Sequence, residues 1–250
     1  MVKHIKTKSK SVNIHRLGWF YECIFALANH PDKIILHLEK NTLIEPSGYA
    51  LIELMSNECK LRKIDFQIKG FKLTALTSFP HHDAHYSIDW FEGSLKPLFI
   101  ENFLEKQKNH LSEDLAYDFR LLFSELTQNA KDHSGAEKFL VFLERTGIGV
   151  FDLGVSIPGK LIQRYPFKDD MAALELSLKE GITTRRLRSG GLGLYYSLEL
   201  LKRNEGIFTL VSGSAQLKRF VKNKKIDRKK LKTRFPGTLI YCELKKKDPS

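Results

Sequence analysis

Glu125 and Asn129 stand four residues apart in a stretch whose apolar residues recur at helical spacing, so both side chains leave the same helix face. An asparagine carbonyl is a hard oxygen ligand suited to Mg²⁺, which keeps water and phosphate oxygens in its other positions. A carboxylate one turn away can orient or deprotonate an attacking hydroxyl or water. Downstream, Gly147 to Pro158 (GIGVFDLGVSIP) places Asp152 at the end of a strand, with Gly154 where a tight turn lets a ligand approach the backbone. A buried carboxylate there can accept a hydrogen bond from the exocyclic amine of adenine. The third stretch, Ser189 to Tyr195 (SGGLGLY), opens a helical run with glycines, whose free N–H groups and helix dipole favour a phosphate anion. The fourth is Gly237-Thr238, at the start of a strand from Leu239 to Leu244.

These groups need a scaffold. Leu115, Phe119, Leu122, Phe123 and Leu126 predict a helix from Ser112 to His133. The order is then E-x-x-x-N on a helix, D-x-G-x-x-x-P at a strand end, G-G-x-G-L before a helix, and G-T in the last strand. That order and spacing, over more than half the chain, resembles the GHKL (histidine-kinase-like) ATPase family. The resemblance implies ATP and Mg²⁺ as ligands, with Asn129 on the metal, Glu125 as catalytic base and Asp152 on the adenine amine. It implies that Gly154 shapes the adenine pocket and that Thr238 supports it. Gly190, Gly191, Gly193 and Leu194 would form the phosphate loop. The implied fold is a two-layer α/β sandwich, a mixed sheet with helices on one face. His110 is followed by Leu111-Ser112 rather than an acid, so it does not suit a phosphoacceptor histidine. Glu125 is closer to the ATP-hydrolysing members and to the anti-sigma-factor serine kinases, whose partners are STAS proteins.

Upstream, Asp32 to Gly70 reads as strand, turn, helix, strand. Lys33 to Leu38 is β-branched and apolar, Glu45-Pro46-Ser47-Gly48 is a turn, and Ala50, Leu51, Leu54 and Met55 share one face of a helix from Tyr49 to Cys59. Ile64 to Ile68 alternates as a strand, giving a parallel pair with a crossover helix. This block resembles STAS domains, with Ser47 at the place of their phosphorylatable serine and Pro46 departing from the usual small hydroxyl residue. Ser47 could equally cap the helix. Phe71 to Pro97 reads as a connector, and His81, His82, Asp83 and His85 as a surface loop rather than a metal site. The chain is expected to divide into a STAS-like α/β domain at 1–95 and a nucleotide-binding domain at 96–250.

The composition is that of an ordinary globular protein, 42% hydrophobic and 28% charged. No apolar run could span a bilayer, and no signal peptide is expected behind the basic start. Cys23, Cys59 and Cys242 lack metal or disulfide spacing, which suits a reducing cytoplasm. The net charge of +12 has a local source: Lys218 to Arg234 holds ten Lys/Arg and one acid, read as an enlarged hairpin loop. Lys160 to Arg188 should form a lid over the nucleotide, its Thr183 to Arg188 run bringing cations near the γ-phosphate. The combined expectation is an ATP-binding regulatory protein with a STAS-type or other protein partner and no membrane partner, homodimerisation being open. It would hydrolyse MgATP or transfer phosphate to Ser/Thr. Two alternatives stay open: a non-hydrolysing ATP-gated interaction module, and a nucleic-acid-binding ATPase using the basic hairpin.

Overall fold

The computed structural model describes the chain except residues 8–9, 40–41, 71–85, 93–96, 137, 183–192 and 246–250. Two compact units emerge, Met1–His82 and Asp83–Ser250.

In the first unit, β1 (Val2–Lys6), β3 (Lys33–His37) and β5 (Asp65–Lys69) form a parallel sheet in the order β1-β3-β5. The run Ile34-Ile35-Leu36 is buried throughout, the pattern of a central strand with both faces covered. Helix α1 (Gly18–Leu27) joins β1 to β3, with the two-residue strand β2 (Ser11–Val12) on the way. Helix α2 (Pro46–Leu61) joins β3 to β5, and β4 (Leu43–Ile44) lies parallel to β2 just before it. The expected parallel pair with a crossover helix is therefore present.

Ser47 does not cap α2. The helix starts earlier than expected, because Pro46 with its preset φ occupies the first turn and Glu45 becomes the N-cap residue. Ser47, inside that turn, is 1% exposed, and its Oγ accepts the Ile14 N–H at 3.3 Å. Asn13 Nδ2 donates to Glu45 Oε1 at 2.6 Å. Gly48 packs so closely on Val12 that a Cβ would come within 2.1 Å of its carbonyl oxygen.

The second unit is a five-stranded sheet, ordered β6-β7-β8-β10-β9, from β6 (Tyr86–Glu92), β7 (Lys138–Glu144), β8 (Gly147–Asp152), β9 (Ile207–Phe220) and β10 (Lys225–Glu243). The expected mixed sheet is instead antiparallel at every pair. Tight turns at Arg145-Thr146 and Val221–Lys224 close the hairpins β7–β8 and β9–β10, which leaves those pairs no other direction. The connector also needs correction. Tyr86 to Glu92 is zipped onto β7, so the division falls at His82/Asp83 rather than near residue 95.

The helices are α3 (Pro97–Gln107), α4 (Glu113–His133), α5 (Ile157–Leu161), α6 (Asp170–Ser177) and α7 (Gly193–Arg203). Ser112 caps α4 by accepting the Leu115 N–H, and Glu113 and Asp114 complement the positive end of the helix dipole. Residues of α3, α4, α6 and α7 enter one core cluster with alternate residues of the sheet, Val141, Val150, Leu210 and Ile240 among them. The helices thus cover one face. On the other, Phe142 stacks on Phe151 and Tyr241 at 5.4 and 5.7 Å. Gly147 and Gly149 of β8 floor those rings, for a Cβ on Gly149 would fall 1.7 Å from the Phe142 ring. No helix among the described residues is long and apolar enough to cross a membrane.

Candidate functional site

Residues one apart on a strand point to opposite faces, so Val150 and Asp152 of β8 both look toward the helices. Thr238 of β10 lies directly opposite Asp152, and Ser212 of β9 directly opposite Thr238. Three polar side chains thus cross the sheet in a row, where the apolar stripe of Val150 and Ile240 ends. Against them comes the last turn of α4. A pocket of about 100 Å³ lies between, with Asn129, His133, Asp152, Thr238, Gly193 and Leu194 in its wall. Apolar groups of Leu126, Val150, Leu161 and Ile240 make up much of the remainder.

Asp152 is the one acid of this wall among the described residues. It is 6% exposed, and burial pushes its carboxyl up from 3.8 to about 7. The backbone N–H groups of Gly154 and Thr238 work against that rise, the Gly154 bond to Oδ1 being 3.1 Å. Gly154 is held where it is by crowding, because a Cβ there would meet the Ser134 carbonyl oxygen at 2.0 Å. Gly237, at φ +113°, would press a Cβ onto the Asp152 carbonyl oxygen at 2.1 Å.

The hydroxyl row has a fixed polarity. Ser212 Oγ accepts the Ile157 N–H at 2.9 Å and donates to the Gly237 carbonyl at 2.8 Å. Its one hydrogen is then used, so in the 3.0 Å contact between the hydroxyls Thr238 must donate. Thr238 Oγ1 keeps only acceptor capacity. Asp152, once ionised, also only accepts. This end of the pocket is built to receive donors.

The Asn129 part of the wall is different. Asn129 Nδ2 is buried and has no hydrogen-bond partner among the described residues. Its carboxamide faces the start of α7, where a Cβ on Gly193 (φ +21°) would sit 3.5 Å from Asn129 Oδ1. Lys160 of α5 also lines the pocket and brings a cation to it. Glu125 is half-buried, one turn before Asn129 on α4, outside the residues that form the pocket wall. Gly190, Gly191 and the Thr183–Arg188 run lie outside the described residues, as do His81, His82, Asp83 and His85. Among the described residues no cluster of three potential metal-binding side chains occurs.

Two residues of this region had no prominent signal in the sequence. Ser212 looks like any small strand residue, yet it links Ile157, Gly237 and Thr238. Asp170, at the start of α6, accepts from Ser214 N at 2.7 Å, from Ser214 Oγ at 2.6 Å and from Arg234 Nη1 at 3.0 Å. Burial works to raise its pKa, but the Ser214 hydrogen bonds and the Arg234 charge outweigh it and lower the value. Gly213, at φ +60°, leaves room for that carboxylate, since a Cβ would meet Asp170 Oδ2 at 2.6 Å. Comparison with known proteins gives no match to a family model, a curated protein or a solved structure.

Proposed function

We propose that the second unit binds ATP with Mg²⁺ and acts as a GHKL-type ATPase or Ser/Thr phosphotransferase. The observation that carries the reading is that one pocket gathers Asp152, Thr238 and Asn129. One end offers only acceptors, Asp152 and Thr238, to an amine. Another part of the wall offers Asn129, its Nδ2 unpartnered among the described residues and its Oδ1 beside the start of α7. Adenine presents an exocyclic amine, and the phosphates would lie toward α7, whose N–H groups favour anions. The carboxamide fits Mg²⁺ through Oδ1, and the metal, when bound, supplies charge neutralisation at the phosphate oxygens.

The chain's own residues then divide the work. Asp152 and Thr238 orient the base, the apolar wall excludes water from it, and Lys160 draws the phosphates. Glu125, one turn from Asn129, takes the proton of the attacking water or hydroxyl. That oxygen forms a bond to the γ-phosphorus as the bond to the bridging oxygen breaks and ADP leaves. The first unit, with its STAS-like parallel core, supports a regulatory role with a protein partner in the cytoplasm.

Calorimetry with ATP tests the binding, with and without Mg²⁺. Micromolar to millimolar affinity is expected, with GTP much weaker because guanine carries a carbonyl oxygen where adenine carries that amine. No heat from ATP at millimolar concentration with Mg²⁺ ends the proposal. Phosphate release then separates an ATPase from a non-hydrolysing, ATP-gated interaction module.

A further inference from the structure

The basic segment Lys218 to Arg234, expected as a loop, is a β-ribbon. β9 and β10 continue pairing from Ala215↔Lys230 to Phe220↔Lys225, far beyond Thr238, where the pairing of β10 with β8 ends. The ribbon rests on α6 through Arg228–Glu175 and Arg234–Asp170 ion pairs at 2.6 and 3.0 Å. Lys222 and Lys225 pair with Glu205 and Asp227. Lys224, Lys230 and Lys232 are exposed and form no ion pair among the described residues. Ten cations against one acid in the segment leave a large excess that these pairs do not cancel.

We propose that this ribbon binds the phosphate backbone of B-form duplex DNA. Charge complementarity gives the class: a dense cationic strand pair, with alternate residues about 6.6 Å apart along each strand, faces a polyanion. A two-stranded ribbon also matches the width of the B-DNA major groove. Single strands are disfavoured, because they need aromatic faces on which bases stack. The one aromatic residue of the basic segment, Phe220, has Lys218 and Lys225 over its ring at 4.9 and 5.5 Å. A-form RNA offers side chains a narrow, deep major groove. A membrane surface is disfavoured too, as Leu231 and Phe235 are buried and Val221 and Ile226 pack, partly buried, against the core. The inference is independent of the nucleotide reading, for the ribbon carries charge whether or not the pocket holds ATP.

The test uses the full chain and fluorescence anisotropy with a labelled 25-base-pair DNA duplex, without nucleotide, across a salt series. The wild type should bind with a log–log salt slope of about −3 or steeper. The triple change Lys224→Gln, Lys230→Gln, Lys232→Gln should weaken binding at least about tenfold and flatten the slope by about 3. A charge-matched control, Lys60→Gln, Lys63→Gln, Lys106→Gln, should keep wild-type binding, and melting curves should confirm that both variants are folded. Absence of duplex binding by the wild type overturns the proposal. So does equal weakening by both triple changes, which would make the effect one of bulk charge. Tighter binding to single-stranded DNA, duplex RNA or phosphatidylserine vesicles than to duplex DNA also overturns it.

Discussion

Two strand-to-helix turns, one in each unit, solve the same local problem with opposite results. At Glu45-Pro46-Ser47-Gly48 the chain uses its own polar groups: Asn13 donates to Glu45, Ile14 donates to Ser47, and Gly48 is pressed onto Val12. At Asp152 to Ser156 a glycine is again pressed onto a neighbouring carbonyl. Here, however, the acid is buried with two backbone amides and one side toward a pocket, and its carboxyl is pushed up to about 7. The first turn closes its polar groups on one another and belongs to stability. The second holds electrostatic strain that a ligand donor could relieve. Similar residues in similar turns therefore separate by what remains unsatisfied, not by motif.

The comparison breaks most readily at Glu125. Glu125→Gln should keep ATP affinity and lower the phosphate-release rate about a hundredfold or more. Equal turnover would leave Glu125 as part of a helix face, with the proton of the attacking oxygen taken by another group.

Asp152→Asn comes next. Loss of a charged acceptor should weaken ATP binding about tenfold to a hundredfold, read by calorimetry. Its pH signature is sharper. Because the folded carboxyl is raised from 3.8 to about 7, the folded state holds the proton more tightly than the unfolded one. Stability is full below about pH 4 and declines as pH rises through about 7, by up to about 4 kcal/mol. The Asn variant lacks that decline and should outlast the wild type in urea at pH 8.5. A ligand amine favours the ionised form, so ATP affinity of the wild type should fall as pH drops below about 7, with proton release on binding. A pH-independent affinity from 5.5 to 8 contradicts the role given to Asp152.

Gly48→Ala should do the reverse in the first unit. Its Cβ has no space, so stability should fall by about 1–3 kcal/mol in urea denaturation with ATP affinity unchanged. A loss of nucleotide binding would show that this turn is not only structural. Smallest is Ser47→Ala, which removes the acceptor of the buried Ile14 N–H and should cost about 1 kcal/mol by the same measurement.

What could be read from the sequence was whatever repeats locally. The α4 periodicity, the β3–α2–β5 crossover and the strand delivering Asp152 all carry their signal within a few turns. β6 does not. Its partner β7 lies some fifty residues on, and its flanking turn residues made it look like a connector. The basic ribbon misled by composition, since long Lys and Arg stems sit well on a strand whose partner places Ala215 and Leu217 inward. Gathering Asn129, Asp152 and Thr238 at one pocket needed the register of β8, β10 and β9, which no local pattern contains. Ser212 and Asp170 stayed hidden for the same reason.

Ser212, Gly213 and Ser214 are consecutive on β9, and between them they hold both ends of the segment that leads away from Asp152. Ser212 takes the N–H of Ile157, while Gly213 and Ser214 cradle Asp170. Mechanically, α5 and the start of α6 are bolted to a sheet strand rather than hung from a hinge. The fixed jaw of any clamp over this pocket therefore extends to Ser177, well past the start of the lid expected from sequence. A cross-link between α6 and β9 should therefore leave ATP affinity unchanged.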